Sequence, residues 1–296
     1  MKASAVAENA AGIKLTGKST EMNGLNQIFI LEIRQTMRAK WFWGYSLLFG
    51  ALVAVMFALG VTESQIIGFV GLGRLMVTFI QICMAILPIF VLISTVRSVV
   101  GDRESNVLEY MMSLPVSLAG YFWGKLAARF VITFLPVFLA LTGAAIWGNI
   151  SRIDVPWDIY TLYSFLIAAM VINFLGFGIF ISTYSRSQEV AVSSAFILWL
   201  FMVALLDLIL LGAMLKMRVD PETVIGIAML NPLQVFRTAS MALFDPKLTV
   251  IGAASYYILD TLSREVFIAI SVIYPVMLGI LFSWLGYRHF KGSDIL

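Results

Sequence analysis

Hydrophobic residues run through this chain in long unbroken blocks rather than at alternating positions. Six blocks are long enough to cross a bilayer: residues 41–61, 75–96, 126–147, 159–183, 190–215 and 266–287. A helical crossing takes about 20 residues at a rise of about 1.5 Å each. Strands of a membrane barrel would alternate apolar and polar side chains over about ten residues. The continuous blocks therefore predict helices. Between them lie three segments of different character. Residues 25–40 place apolar side chains at 25, 28, 29, 33 and 37 with Glu32, Arg34, Arg38 and Lys40 on other faces. That spacing predicts an amphipathic helix lying at the membrane surface. Residues 97–125 form a polar inner loop with a helical pattern of its own. Residues 216–265 are broken by Pro221, Pro232 and Pro246, and their apolar stretches Val224–Leu230 and Leu248–Leu259 are too short to span. Short helices resting on or dipping into the outer leaflet are expected there.

Composition agrees with an all-α membrane protein. Hydrophobic residues make up 60% and charged residues 12%, against about 25% charged in a soluble domain. Mean hydropathy is +0.94. A soluble enzyme, a nucleic-acid-binding domain and a disordered protein are excluded. The net charge of +3 is too small to suggest nucleic acid, so the placement of basic residues carries the information. Lys2, Lys14, Lys18, Arg34, Arg38, Lys40, Arg97, Arg103, Lys125, Arg186, Arg288 and Lys291 fall on one side if the N-terminus is inside, and the short outer loops hold Arg74 and Arg152. The excess predicts both termini in the cytoplasm, with six crossings. Residues 1–22 have no apolar core of a signal peptide and are expected to form a flexible cytoplasmic tail; residues 23–296 form the membrane domain.

Catalytic chemistry has little to work with. The chain has one cysteine, Cys83, and one histidine, His289. These cannot supply a disulfide, a metal cluster or a Ser-His-Asp arrangement. No metal site is expected, and the methionines read as packing residues. The chain also lacks the G-x-x-x-x-G-K-[ST] phosphate loop, so it is not expected to hydrolyse ATP.

Two places stand out. The inner loop reads Asp102-Arg103-Glu104-Ser105-Asn106-Val107-Leu108-Glu109-Tyr110-Met111-Met112-Ser113-Leu114-Pro115-Val116-Ser117, then Gly124-Lys125. Its apolar set and its acidic set suit a short cytosolic helix, stopped by Pro115 and rigidly continued into spans two and three. On residues alone, a partner-free interfacial helix is an equal reading. The second place is Asp207, about eight residues from the outer end of span five. A carboxylate inside a bilayer costs about 2.5–3.5 kcal/mol on insertion scales. It predicts a water-filled path, a dimer interface, a protonated carboxyl, or an interhelical hydrogen bond to Asn173 or Gln81.

The inner loop resembles the E-x-G-T-L-E-x-L-L-S-x-P-x-S…G-K loop of ABC-2 type transporter permeases. Ser105-Asn106 stands where the family usually has Gly-Thr, and Leu118 where it often has Arg. The resemblance covers nearly the whole chain, including the amphipathic helix, the six spans and the outer segment between spans five and six. It implies a permease that works as a dimer with a second copy of itself and docks a cytosolic ATPase supplied by another chain, which would bind ATP and Mg; no cofactor is expected on this chain. It also implies that Asp102, Glu104, Glu109, Tyr110, Ser113, Pro115 and Lys125 belong to the coupling element, in a multi-pass protein of the bacterial inner membrane. Further on, Leu206-Asp207-Leu208 followed by Asn231-Pro232…Arg237 is similar to the NosY-type permeases of transporters that serve nitrous oxide reductase maturation. That resemblance implies a sulfur species, or copper, as cargo. Asp207 and Asn173 would line the path, and Asn231, Pro232 and Arg237 would dock a periplasmic partner. Asn-Pro is also a turn starter, and Arg237 could cap a helix or bind an anionic lipid head group. Two other readings remain: an ABC-2 exporter for a drug, lipid or other small molecule, and a membrane scaffold that transports nothing.

Overall fold

The computed structural model describes residues 24–66, 69–113, 116–150, 155–209, 212, 221–244 and 263–292. The expected tail 1–22, Pro115 and the stretch Leu248–Leu259 lie outside the described residues. Among the described residues every regular element is helical. Helix α1 covers residues 24–38. It is followed by α2 (Lys40–Ile66), α3 (Phe69–Glu104), α4 (Val107–Met112), α5 (Leu118–Ile150), α6 (Trp157–Tyr184), α7 (Gln188–Leu200), α8 (Pro221–Met229), α9 (Pro232–Phe244) and α10 (Arg264–Gly292). A π turn at Phe201–Leu205 carries α7 onward to residue 209.

Five of these helices are long and apolar enough to cross a membrane: those ending α3, all of α5, α6 and α10, and α7 with its extension. The first expected span falls on α2, a helix of 27 residues. The protein is thus an all-α, multi-pass membrane protein.

Helix α6 is the central post. It packs against α3, α5, α9 and α10, while α7 leans on α3 and α2 leans on α5. The enclosure follows: 67% of the apolar window of α6 is buried, against 6% of that of α7. Glycine makes the closest contact. A Cβ at Gly176 would overlap the backbone of Gly279, and one at Gly279 would overlap Ile172 and Asn173. A Cβ at Gly178 would come within 2.8 Å of Thr95 on α3. Small residues let backbones meet where lipid supplies no hydrophobic drive for association.

Two helices overshoot the bilayer. Helix α3 has 36 residues, about 54 Å at the α-helical rise, against a hydrocarbon thickness of about 30 Å. Helix α5 has 33 residues. The segment 97–125, expected as an inner loop, is therefore mostly helix end. Residues 97–104 finish α3, residues 118–125 begin α5, and only the corners around α4 depart from helix. Hydropathy detects the apolar middle of such a helix and is blind to its continuation into water.

At the other end of the bundle, helix α9 of the segment expected to rest on or dip into the outer leaflet is wedged between α3, α6 and α10, and buries Leu233, Phe236, Ala239, Ala242 and Leu243.

Candidate functional site at the two ends of the bundle

At the end that carries α4, three helices meet over a quartet of charges, of which Glu32 and Lys125 are buried. Lys125 Nζ on α5 lies 2.7 Å from Glu32 Oε1 on α1 and 2.5 Å from Asp102 Oδ2 on α3. Arg129 Nη2, one turn further along α5, lies 3.2 Å from Glu32 Oε2. The Tyr121 hydroxyl donates to Asp102 Oδ2 at 2.6 Å. Two carboxylates face two cations, so the formal charge balances. Burial raises the Glu32 carboxyl, but Lys125 and Arg129 beside it outweigh burial and hold it below the usual value. Just above, a Cβ at Gly124 would stand 2.8 Å from the Leu25 carbonyl. The glycine lets α1 lie directly on α5.

Beyond this quartet the chain turns outward. Ser105 Oγ and the Ser105 N–H both return to the Gly101 carbonyl, closing α3. Asn106 then takes φ 57°, the one positive φ among the described non-glycine residues. Asn tolerates that left-handed conformation better than most residues with a Cβ. Counting the family loop from Glu104 to Ser117 puts Asn106, and not Ser105, on the position usually held by glycine. The departure from the pattern is thus a residue that still meets the same backbone demand. Helix α4 follows, anchored by buried Leu108, with Glu109 and Ser113 exposed and Tyr110 66% exposed. Ser113 Oγ donates to the Tyr110 carbonyl. Glu104 Oε1 accepts the N–H of Gln188, tying the end of α3 to the start of α7.

The coupling residues named from sequence therefore fall into two layers. Glu109, Tyr110 and Ser113 lie on an exposed surface. Lys125 is buried, and Asp102 bonds to it and to Tyr121 inside the chain. Glu32 joins the second layer, although the sequence pattern had placed it on the polar face of α1.

At the opposite end Asp207 meets α9. Gln234 Nε2 donates to Asp207 Oδ1, and Arg237 Nη1 lies 4.0 Å from Asp207 Oδ2. Of the two expected partners, Asn173 does not account for this carboxylate, and the side chain of Gln81 lies outside the described residues. Gln234 and Arg237 are one turn apart on α9, which is what points both at one target. Asn231 closes the arrangement from below. Its Oδ1 accepts the Leu233 N–H as a helix cap, and its Nδ2 donates to the Met202 carbonyl at 2.8 Å. Met202 belongs to the π turn. A π turn shifts the backbone pairing register and leaves a carbonyl in need of another donor. Asn231 and Pro232 are buried, whereas the Arg237 side chain is about one-third exposed. Arg237 is thus the residue of the three with surface to offer.

Asn173 lies elsewhere, fully buried on α6 beside Gly279, and neither polar atom of its side-chain amide has a hydrogen-bond partner among the described residues. Nothing among the described residues connects it to Asp207. Among the described residues, no three His, Cys, Asp or Glu side chains gather as a metal site would need.

A bundle of apolar helices carries an outward-facing helix at one end and the carboxylate of Asp207 at the other, an arrangement that fits a membrane transport subunit. The model of the ABC-2 family transporter protein matches residues 26–294, and the chain belongs to that family. Within it the chain is NosY-like. It is 22% identical over 240 residues to the probable ABC transporter permease protein NosY of Stutzerimonas stutzeri, covering 79% of this chain and 87% of that protein. It is 21% identical over 220 residues to the protein of the same description from Pseudomonas aeruginosa, covering 72% and 80%. The family makes this chain a permease subunit of an ABC transporter, whose members work with a separate ATPase subunit.

Proposed function

We propose that the protein is a six-crossing permease of the bacterial inner membrane with both termini in the cytoplasm. It works as a dimer with cytosolic ATPases and moves a sulfur species, or copper, for copper-site maturation of nitrous oxide reductase. The carrying observation is α4: a short helix held off the ends of two overlong helices, with Glu109 and Tyr110 facing outward. Closure of the ATPases on ATP and Mg would push α4. The quartet of charges passes that push to α1 and α5 as well as to α3. The poorly enclosed face of α7 (Phe196, Ile197, Leu200, Phe201) is available to a second copy, with the path between the two copies. Asp207 is held near that face by Gln234 and Arg237. The NosY-like sequence supports the cargo class, and Arg237 is the contact offered to a periplasmic partner.

Purification from the native membrane in mild detergent, with mass spectrometry of co-purifying chains, tests the assembly. Recovery of a P-loop ATPase and a periplasmic protein is expected, and loss of the ATPase on Glu109→Lys. Absence of any ATPase, under conditions that keep other complexes intact, would overturn the docking and leave a scaffold. Deletion of the chain should abolish the copper–sulfide centre of nitrous oxide reductase. An intact centre would replace this cargo by that of an exporter for a drug, lipid or other small molecule.

A further inference from the structure

Helices α6 and α10 run side by side and touch at Gly176 and Gly279. Toward their N-terminal ends they leave a groove of about 370 Å³. Its walls are Ile159, Leu162 and Phe165 from α6 and Ile268, Ala269 and Val272 from α10. Its rim carries Asp158, Arg264 and Glu265. Both helices contribute their first turns, so apolar wall and charged rim are stacked along the same axis.

The depth of the rim is marked independently. Trp157 is 48% exposed and packs edge-on to Tyr160 at 5.7 Å between ring centroids. Exposed aromatic residues at helix ends sit at the level of lipid head groups. The rim thus faces head groups, and the groove below it faces acyl chains. Arg264 is fixed there, because its Nε and Nη2 donate to the Ala242 and Leu243 carbonyls at the end of α9. Two carboxylates and one guanidinium give the rim a net charge of −1. An anionic head group would bring a second negative charge to that rim. A head group carrying a phosphate and an ammonium matches it: phosphate beside Arg264, ammonium between Asp158 and Glu265.

We propose that this groove seats a phospholipid with an ammonium-bearing zwitterionic head group, of the phosphatidylethanolamine kind. One acyl chain lies along Leu162, Phe165, Ile268 and Val272. The bound lipid fills the gap between α6 and α10 on the side of the bundle that carries α9. The inference is independent of what the transporter carries.

Native mass spectrometry of the delipidated full-length protein tests it, with phosphatidylethanolamine and phosphatidylglycerol added in competition. Phosphatidylethanolamine should be retained over phosphatidylglycerol by about threefold or more, the scale of a partly exposed charge pair. The combined substitution Asp158→Asn and Glu265→Gln should erase that preference while the protein stays monodisperse. Ala269→Trp, which fills the groove, should lower the number of bound lipids. Equal retention of the two lipids, or a preference untouched by the charge substitutions, would overturn the proposal. So would a photoreactive residue at position 162 that cross-links to a second copy of the chain instead of to lipid.

Discussion

The ammonium of Lys125 lies 2.7 Å from the carboxylate of Glu32, joining α1 to α5 beneath the outward-facing α4. Both side chains are nearly sealed from solvent, with 5% and 9% exposed. Removing Lys125 leaves Glu32 with Arg129 alone and takes from Asp102 the ammonium beside it. Lys125→Met should therefore destabilise the protein by about 3–5 kcal/mol. The double substitution Glu32→Gln with Lys125→Met should cost less than the sum of the two single changes. Thermal unfolding in detergent reads both, and additive losses would show that the two side chains do not act as a pair.

The same contact makes stability depend on pH in a defined direction. The Glu32 carboxyl is held below its usual value of 4.5, so folding favours the ionised form. That contribution is fully present above the value of the unfolded chain and is lost as pH falls through the lower, folded value. The stability gap between the native chain and Glu32→Gln should be constant near neutral pH and narrow below about pH 4.5. A gap unchanged under acid would show that folding does not shift the Glu32 carboxyl.

Asn231 serves two backbones at once, and its two ends can be separated. Asn231→Asp keeps an oxygen for the Leu233 N–H and loses the donor to Met202. Asn231→Ala loses both. A lost cap costs about 1 kcal/mol, and a buried carbonyl left without a donor costs about 1–3 kcal/mol. The expected order of melting temperature is native, then Asp, then Ala. Equal melting of native and Asp variants would show that the π turn does not need this donor.

Glycine positions should divide sharply. Gly279→Ala puts a methyl into the backbone of α6, so folded yield should collapse. Gly143→Ala has no neighbour within 4 Å and should raise stability by up to about 1 kcal/mol through helix propensity. Fluorescence-detected size exclusion of the two variants checks the contrast, and equal yields would contradict the close approach of α6 and α10.

Legibility from sequence followed the physics of each signal. Apolar runs located the long helices, because burial in lipid demands continuous apolar surface. They understated α3 and α5, whose ends are helical for reasons of packing and not of hydropathy. Glu32 was placed on a face away from the apolar stripe because α1 has the pattern of a surface helix. A hint was available in Lys125 and Arg129, an i,i+4 pair of cations at the start of an otherwise apolar helix, which needs anions from elsewhere. Asp207 stood out because a lone carboxylate in an apolar run is costly. Its partners did not, since Gln234 and Arg237 lie on a segment whose three-dimensional placement no local pattern reveals. Asn106 shows the reverse case. A residue that looked like a departure from a motif preserved the backbone geometry behind it.

The left-handed turn at Asn106 and the anchor at Leu108 together fix where α4 sits, and neither uses its outward face. Position 106 has little latitude: Gly, Asn or Asp can hold it, and most other residues would strain it. Glu109, Tyr110 and Ser113 carry no such obligation to the membrane domain. In the proposed complex, choice of motor and construction of the channel are written in separate residues. A lineage could exchange one ATPase for another by rewriting that outward face, with the transmembrane machinery left as it stands.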